Sequence, residues 1–262
     1  MENERRDALF AQWESPMVRA CLQGEMGRIV SWGEDSALAA LGDFCFLAGK
    51  PAPELIGQAE GPLLVPGNGG WVELIEKSWG ERAVAFTRYA VRRTQEIGSN
   101  DRLLSFTNAL PEGFKLAPIG KGLYPVLLSQ AWSRDLCGNF RDEDDFVERG
   151  IGIAVLWRGE PVAGAASYAV CAGAIEIEID TAPDFRRRGL ALACGAKLIL
   201  ECLERDLYPA WDAHDLRSLA LAEKLGYQLD HPYPAFWVEE KAKNRGEASR
   251  ANSTRQSLIT EV

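Results

Sequence analysis

Ile175-Glu-Ile-Glu-Ile-Asp-Thr-Ala-Pro-Asp-Phe-Arg-Arg-Arg-Gly-Leu-Ala191 is the stretch that decides how this chain is read. Up to Asp180 apolar and acidic residues alternate strictly, the period-two pattern of a strand with one buried face. Thr181-Ala-Pro-Asp184 breaks that pattern. From Leu190 onward Cys194, Leu198 and Cys202, with Ile199 and Leu203 beside them, recur at helical spacing. The stretch is therefore a strand, a loop and a helix that starts just past Gly189. The first turn of a helix leaves backbone N–H groups without internal partners and carries the positive end of the macrodipole. A glycine there lets an anion come close to the backbone, and Arg186, Arg187 and Arg188 surround it with fixed positive charge. The geometry suits a diphosphate.

The neighbouring sequence supplies a sheet for this unit. Ile151–Trp157 is an apolar strand, Arg158-Gly-Glu160 a tight turn, and Val162–Val170 a second strand rich in small residues, which together with Ala174–Asp180 reads as an antiparallel meander. Tyr208–Trp211 has the length of a strand. Asp215–Leu225 is a helix with Asp215 as N-cap and Gly226 just past its end. Before the meander, Ala37–Leu41 predicts a short helix running into a strand at Asp43–Leu47, and the breaker-rich residues 49–70 predict a loop. Trp71–Trp79 follows as an amphipathic helix and Ala83–Tyr89 as a strand. A second breaker-rich region, 110–122, sets a boundary between an amino-terminal α/β region at 1–118 and a carboxy-terminal domain at 119–240. Residues 241–262, polar and charged, read as a mobile tail. The fold class is α+β, with a mixed, mainly antiparallel sheet flanked by helices and the amino-terminal region packed against it.

Residues 150–230 resemble the acetyl-CoA site of the GNAT superfamily of N-acetyltransferases. The family's Gln/Arg-x-x-Gly-x-Gly/Ala signature is matched by Arg186, Gly189 and Ala191, and Thr181–Phe185 matches its Pro-containing lead-in. Ser218–Tyr227 is similar to its later helix, which ends in Lys-x-Gly-aromatic. Trp211–Asp215, Asp43–Gly49 and the total length further resemble a long-chain group that includes zwittermicin-resistance-type acetyltransferases. The resemblance implies acetyl-CoA as co-substrate. The backbone of Ile179, Asp180 and Thr181 would run beside the pantetheine arm, and the amides from Arg187 through Gly189 and Leu190 to Ala191 would cradle the pyrophosphate. His214, Asp215 and Ser218 are further candidate coenzyme contacts. The implied reaction moves an acetyl group to a primary amine of a small molecule by direct attack in a ternary complex.

An alkyl amine is protonated at neutral pH, so such a reaction needs a general base. Glu176 and Glu178 share one face of the strand and are the candidates; alternating glutamates are also the ordinary polar face of a strand. His214 is an alternative base. Many family members carry a Tyr seven residues after an Asn as general acid, and here those places hold Ala222 and Asp215. Tyr208, Tyr227 or solvent are the replacements, and a thiolate is a fair leaving group without an acid. The missing Tyr keeps open a second class, a non-catalytic acyl-CoA-binding module or sensor.

Composition narrows the alternatives. In 262 residues, 38 acidic side chains against 29 basic give a net charge of −9, the wrong sign for a nucleic-acid partner. No Walker-type Gly-Lys-Ser/Thr or Gly-x-Gly-x-x-Gly turn is present. The opening seven residues lack the apolar segment of a signal peptide, and no apolar run reaches the ~18 residues of a membrane span, so the expectation is a cytoplasmic protein with no membrane partner. Cysteines 21, 45, 137, 171, 194 and 202 form no Cys-x-x-Cys pair and read as small buried apolar residues, without disulfides or a metal site. Asp142-Glu-Asp-Asp145 reads as the start of a solvated helix, and Trp13, Trp32, Trp71, Trp79 and Trp132 as core. No signal bears on oligomeric state.

Overall fold

From its amino terminus the chain runs through α1 (Glu2–Leu9), α2 (Pro16–Gln23), β1 (Arg28–Trp32), β2 (Ser36–Leu41), β3 (Phe44–Gly49), α3 (Pro53–Ile56), β4 (Leu63–Pro66), α4 (Gly69–Trp79) and β5 (Ala83–Val91). It continues through α5 (Asn100–Asn108), β6 (Phe114–Pro118), α6 (Tyr124–Ser129), α7 (Glu143–Arg149), β7 (Gly152–Trp157), β8 (Glu160–Cys171) and β9 (Ala174–Thr181). It ends with α8 (Leu190–Glu204), β10 (Tyr208–Ala210), β11 (Asp212–Ala213), α9 (Leu216–Leu225) and β12 (Leu229–Val238). This computed structural model describes residues 2–94 and 97–239, so the tail expected at 241–262 lies outside the described residues. Among the described residues no helix is long and apolar enough to cross a membrane. The chain forms two compact units, one from Met1–Gln12, Ile29–Phe86 and the segment from Pro234 on, the other from Trp13–Arg28 and Thr87–Tyr233. The boundary expected near residue 118 falls inside the second.

In the first unit β2 and β3 form an antiparallel hairpin whose register, Leu41 opposite Phe44, leaves only Gly42 and Asp43 for the turn. The helix expected at Ala37–Leu41 is thus a strand. Ala and Leu favour helices, but cross-strand pairing and burial of Ala37, Leu38 and Ala39 override that weak preference. The expected loop at 49–70 also holds structure: α3, and β4 running parallel to β3 with Phe44 opposite Leu63. The end of β12 closes on β4, Phe236 opposite Leu64. Leu38, Leu47, Leu55, Leu64, Trp71, Ile75 and Phe236 fill the core. Trp71 is fully buried and its indole donates to the Gly49 carbonyl at 3.0 Å. Of the five tryptophans expected in the core it is the only fully buried one, and Trp32 is 49% exposed.

The second unit holds a five-stranded sheet in the order β10-β9-β8-β7-β6, antiparallel except where β10 lies parallel to β9. Ile175 and Ile177 of β9 pack in one core with Leu190, Cys194, Leu198, Ile199 and Cys202 of α8. Strand alternation turns Glu176, Glu178 and Asp180 to the opposite face, where α2 contacts β8 and β9. All six cysteines are buried, as a role as small apolar residues requires. The acidic run at 142–145 does begin a helix, but it is not wholly solvated. Asp142 caps α7 by accepting from the Asp145 amide at 2.9 Å. Asp145 itself is 2% exposed and accepts hydrogen bonds from Arg141 and Arg149, spaced four residues to either side.

Candidate functional site

The site begins where two strands part. β10 pairs with β9 only over Tyr208–Ala210, opposite Ala174–Glu176. Past Trp211 the chain leaves β9, and β11 pairs instead with β5, Asp212 opposite Ala90 and Ala213 opposite Tyr89. From Ile177 onward β9 therefore keeps a neighbour on its β8 side alone. The Tyr208 amide donates to the Gly173 carbonyl on the β10 side, and the Ala182 amide to Val162 on the β8 side. The pairing of Ala210 with Glu176 takes up the Ile177 amide, so alternation turns the Ile177 carbonyl and the Ile179 peptide group toward the edge that β10 has left.

Glu176 sits at the last paired position. It is 4% exposed, and its Oε1 is buried with no hydrogen-bond partner. The Ser15 hydroxyl, at the N-cap of α2, and the Asp212 amide favour its charged form. Burial first, and the Asp212 carboxylate second, push the Glu176 pKa up to about 8, against the opposing pull of Arg88 and these two donors. A carboxyl poised near neutrality can take a proton from an ammonium group. Glu178 is half-buried on the same face, and Asp180 closes the row. Burial pushes Asp180 up to about 6, opposed by the Thr181 amide at 2.6 Å and by Arg186, whose guanidinium lies 3.9 Å away.

At the other end of β9 the loop turns into α8. Arg187 and Gly189 both adopt left-handed conformations, φ 60° and 79°. Gly189 is exposed, and a Cβ built there would meet nothing within 4 Å. Among the described residues no amide from Arg187 to Leu192 donates to a backbone carbonyl within hydrogen-bond geometry; the first to do so is Ala193, to Gly189. Arg186, Arg187 and Arg188 are exposed around this nest. Arg188 also donates to the Asp184 carbonyl at 3.0 Å, and Arg186 Nε to the Thr181 carbonyl at 3.2 Å. Leu190 buries its side chain in the core and offers only its amide. Exposed amides, a backbone open to close approach and three guanidinium groups fit the pyrophosphate of a coenzyme A thioester.

The remaining sequence candidates lie at the start of α9. Asp215 caps that helix by accepting from the Ser218 amide at 2.8 Å and pairs with Arg217, while the Ser218 hydroxyl accepts from the Trp211 indole at 3.2 Å. His214 faces Arg88, whose Nη1 stands 3.1 Å from Nδ1. Since a guanidinium only donates, Nδ1 accepts and the ring proton belongs on Nε2. Burial, then the Arg88 charge, lower the His214 pKa and keep the ring neutral. The Tyr227 hydroxyl is spent on the Pro209 carbonyl at 2.6 Å, and burial raises its pKa well above the ordinary value, so it is a poor general acid. Tyr208 accepts from the Thr94 amide, under the Arg93 guanidinium.

Three residues of this region escaped the sequence reading. Arg88 on β5 is 5% exposed, and its Nε donates to Asp212 Oδ1 at 2.7 Å and to the Tyr233 hydroxyl at 3.2 Å. The Tyr233 hydroxyl in turn donates to Asp212 Oδ2 at 2.7 Å. The only local signal was an Arg inside an otherwise apolar strand.

A family model described as GNAT acetyltransferase matches residues 7–236. The curated Uncharacterized N-acetyltransferase YdfB of Bacillus subtilis is 27% identical over 135 residues, 50% of this chain and 51% of that protein, so the match spans about half the length of the curated relative. The crystal structure of a GCN5-related N-acetyltransferase-like protein from Streptococcus suis superposes with a TM-score of 0.88 at 44% identity, covering 91% of this chain and 98% of that one. A GCN5-related N-acetyltransferase from Kribbella flavida shares the fold at 15% identity, with a TM-score of 0.53 over 88% of this chain and 98% of that one. With most of its length under the family model and the fold matched throughout, the chain belongs to the GNAT acetyltransferase family.

Proposed function

We propose that this protein transfers an acetyl group from acetyl-CoA to a primary amine of a small molecule, by direct attack of the amine in a ternary complex, with Glu176 as general base. The observation that carries the reading is the buried, unpartnered Oε1 of Glu176 at the point where β9 and β10 separate. Acetyl-CoA supplies the acetyl group as an activated thioester. The amides and guanidinium groups of Arg186–Ala191 hold its pyrophosphate, and the edge of β9 from Ile177 to Thr181 lines its arm. His214, Asp215 and Ser218 remain candidate contacts from the start of α9. Glu176 takes the proton that an ammonium group must shed before it is nucleophilic, and the Ile179 amide is the donor for a thioester oxygen. Glu178, less buried, is the alternative base. The likeness of Trp211–Asp215 and Asp43–Gly49 to zwittermicin-resistance-type acetyltransferases favours an aminated natural product as acceptor.

The test is thiol release from acetyl-CoA with a panel of amines, alongside calorimetry with coenzyme A. Turnover with at least one amine is expected, with Glu176→Gln lowering kcat by about 10²- to 10³-fold and leaving coenzyme affinity unchanged. Coenzyme binding with no thiol release from any amine, or a Glu176→Gln variant as active as the parent, overturns the proposal.

A further inference from the structure

We propose that the acceptor is a linear polyamine, whose reacting nitrogen enters at Glu176 while ammonium groups further along its chain are held by Glu178 and Asp180. This deepens the reading of Glu176 as the base of an amine acetyltransferase and rests on it. The three carboxyl groups stand in a straight file, because alternate residues of a strand share a face. At ~3.3 Å of rise per residue, neighbouring members are roughly 6–7 Å apart and the ends of the file roughly 13 Å apart. The file also runs from sealed to open. Glu176 is 4% exposed and its Oε1 is buried without a hydrogen-bond partner, whereas Glu178 is half-buried and the Asp180 side chain is 39% exposed. A buried carboxyl oxygen without a partner destabilises a fold, and a donor delivered by a ligand relieves it. The deep end thus calls for an N–H donor, and two more carboxyl groups extend from it toward water.

The surroundings suit a slender occupant. The cross-strand neighbours of the file on β8 are small: Ala169 opposite Glu176, Ala166 opposite Glu178 and Gly164 opposite Asp180. The chain itself fills the space they leave. A Cβ built on Gly164 would stand 2.6 Å from Leu136 Cδ1, and both the helical turn Arg134–Leu136 and α2 lie against β8 and β9. On its other side β9 loses its strand neighbour after Glu176, since β10 ends opposite that residue. An extended chain laid along the file is therefore bounded by covered small residues on one side and by the open edge of β9 on the other. Arg186 reaches the outer end, with its guanidinium 3.9 Å from the Asp180 carboxylate. That is too long for a hydrogen bond, and more than a third of each side chain is exposed, so the pair is weak. An incoming ammonium group can displace it, the more so once Arg186 is drawn to the pyrophosphate. The net charge of −9 adds a general attraction for polycations.

The experiment is calorimetry of butylamine, diaminobutane and spermidine with the full chain, saturated with coenzyme A so that no acetyl group is transferred. Each added nitrogen that meets a carboxylate is expected to tighten binding about tenfold. Glu178→Gln should remove the advantage of diaminobutane over butylamine, and Asp180→Asn the further advantage of spermidine over diaminobutane. Equal affinities for the three amines, or binding of none, overturn the inference. So does a ranking that survives in both variants, because attraction to the net charge alone would survive either change. Should one variant fail to fold, the other decides by the same comparison. In thiol release from acetyl-CoA, kcat/KM should rank the amines in the same order. Glu176→Gln tells the two readings apart: activity equal to the parent's, with amine binding still graded by Glu178 and Asp180, defeats the base and leaves the file. Lost turnover in that variant with ungraded amine binding defeats the file and leaves the base.

Discussion

Replacing Glu176 by Gln should change the sign of its effect on stability between acid and alkaline solution. The carboxyl titrates near its ordinary 4.5 in the unfolded chain and at about 8 in the folded one. Below pH 4.5 it is protonated in both states and burial costs nothing in charge. Between 4.5 and 8 the unfolded chain gives up its proton while the folded chain retains it, so stability falls as pH rises, and above 8 the full penalty is present. At about 1.4 kcal/mol for each pH unit between the two midpoints, that penalty is on the order of 5 kcal/mol. Gln carries no charge at any pH, but its amide must take the place of a buried carboxyl beside the Ser15 hydroxyl and the Asp212 amide, and one imperfect polar contact costs about 1 kcal/mol. The variant should therefore be about 1 kcal/mol less stable than the parent near pH 4.5 and roughly 4 kcal/mol more stable near pH 8.5. For a chain of 262 residues the unfolding entropy is about 0.5 kcal/mol per degree, so these correspond to a Tm lower by about 2 °C and higher by about 8 °C. Denaturant titrations of both proteins at half-unit intervals from pH 4.5 to 9 measure this directly. Other groups cancel in the difference, Asp180 included. A difference that keeps one sign across the range, or is flat, would refute the buried neutral carboxyl. The same variant should have lost its turnover, so the residue the fold would be steadier without is the one the reaction needs.

Other perturbations separate the coenzyme cradle from the scaffold. Gly189→Ala introduces a Cβ into open space but into a left-handed residue, so it should cost about 1–2 kcal/mol, a Tm drop of roughly 2–4 °C, while weakening coenzyme A at least about tenfold through loss of one charge-assisted hydrogen bond; calorimetry showing parental affinity would remove Gly189 from the cradle. Gly226→Ala is a control of the opposite kind: φ is 111° and its Cβ would stand 2.4 Å from the Gly98 nitrogen, so a loss of about 3 kcal/mol or more is expected in chemical melts. Asp145→Ala removes the buried partner of two arginines that water can still reach, Arg141 above all, and should cost about 1–3 kcal/mol at neutral pH. Because hydrogen bonds from Arg149 and Arg141 hold the Asp145 carboxyl well below the ordinary carboxylate range, its contribution is present at neutrality and is lost as pH falls below about 4, so the parent and variant stability curves should converge there.

The parts of this molecule that could be read in the sequence are those fixed by neighbours along the chain. Strict alternation through Ile175–Asp180, a proline-containing break and Gly189 before an apolar stripe are local facts, and they place β9, the nest and α8. Ala37–Leu41 misled because composition favours a helix while the deciding partner, Phe44–Gly49, acts through pairing; the two-residue Gly42-Asp43 turn was the local sign of it. Asp145 looked solvated inside an acidic run, yet Arg141 and Arg149 four residues to either side were the readable sign of a paired carboxylate. Arg88, Asp212 and Tyr233 offered far less. Arg88 is 124 residues from Asp212, and Tyr233 is 21 residues beyond it on another strand, so no spacing rule connects them. The two glutamates of β9 make the sharpest case. Glu176 and Glu178 are indistinguishable by type, face and neighbours in sequence, and what separates them is where another strand stops: β10 still pairs opposite Glu176, and the chain then turns away to β5. Which of two like carboxylates is sealed from water and poised near neutrality is thus settled by the length of the strand beside them, a property of the sheet that no residue of β9 encodes.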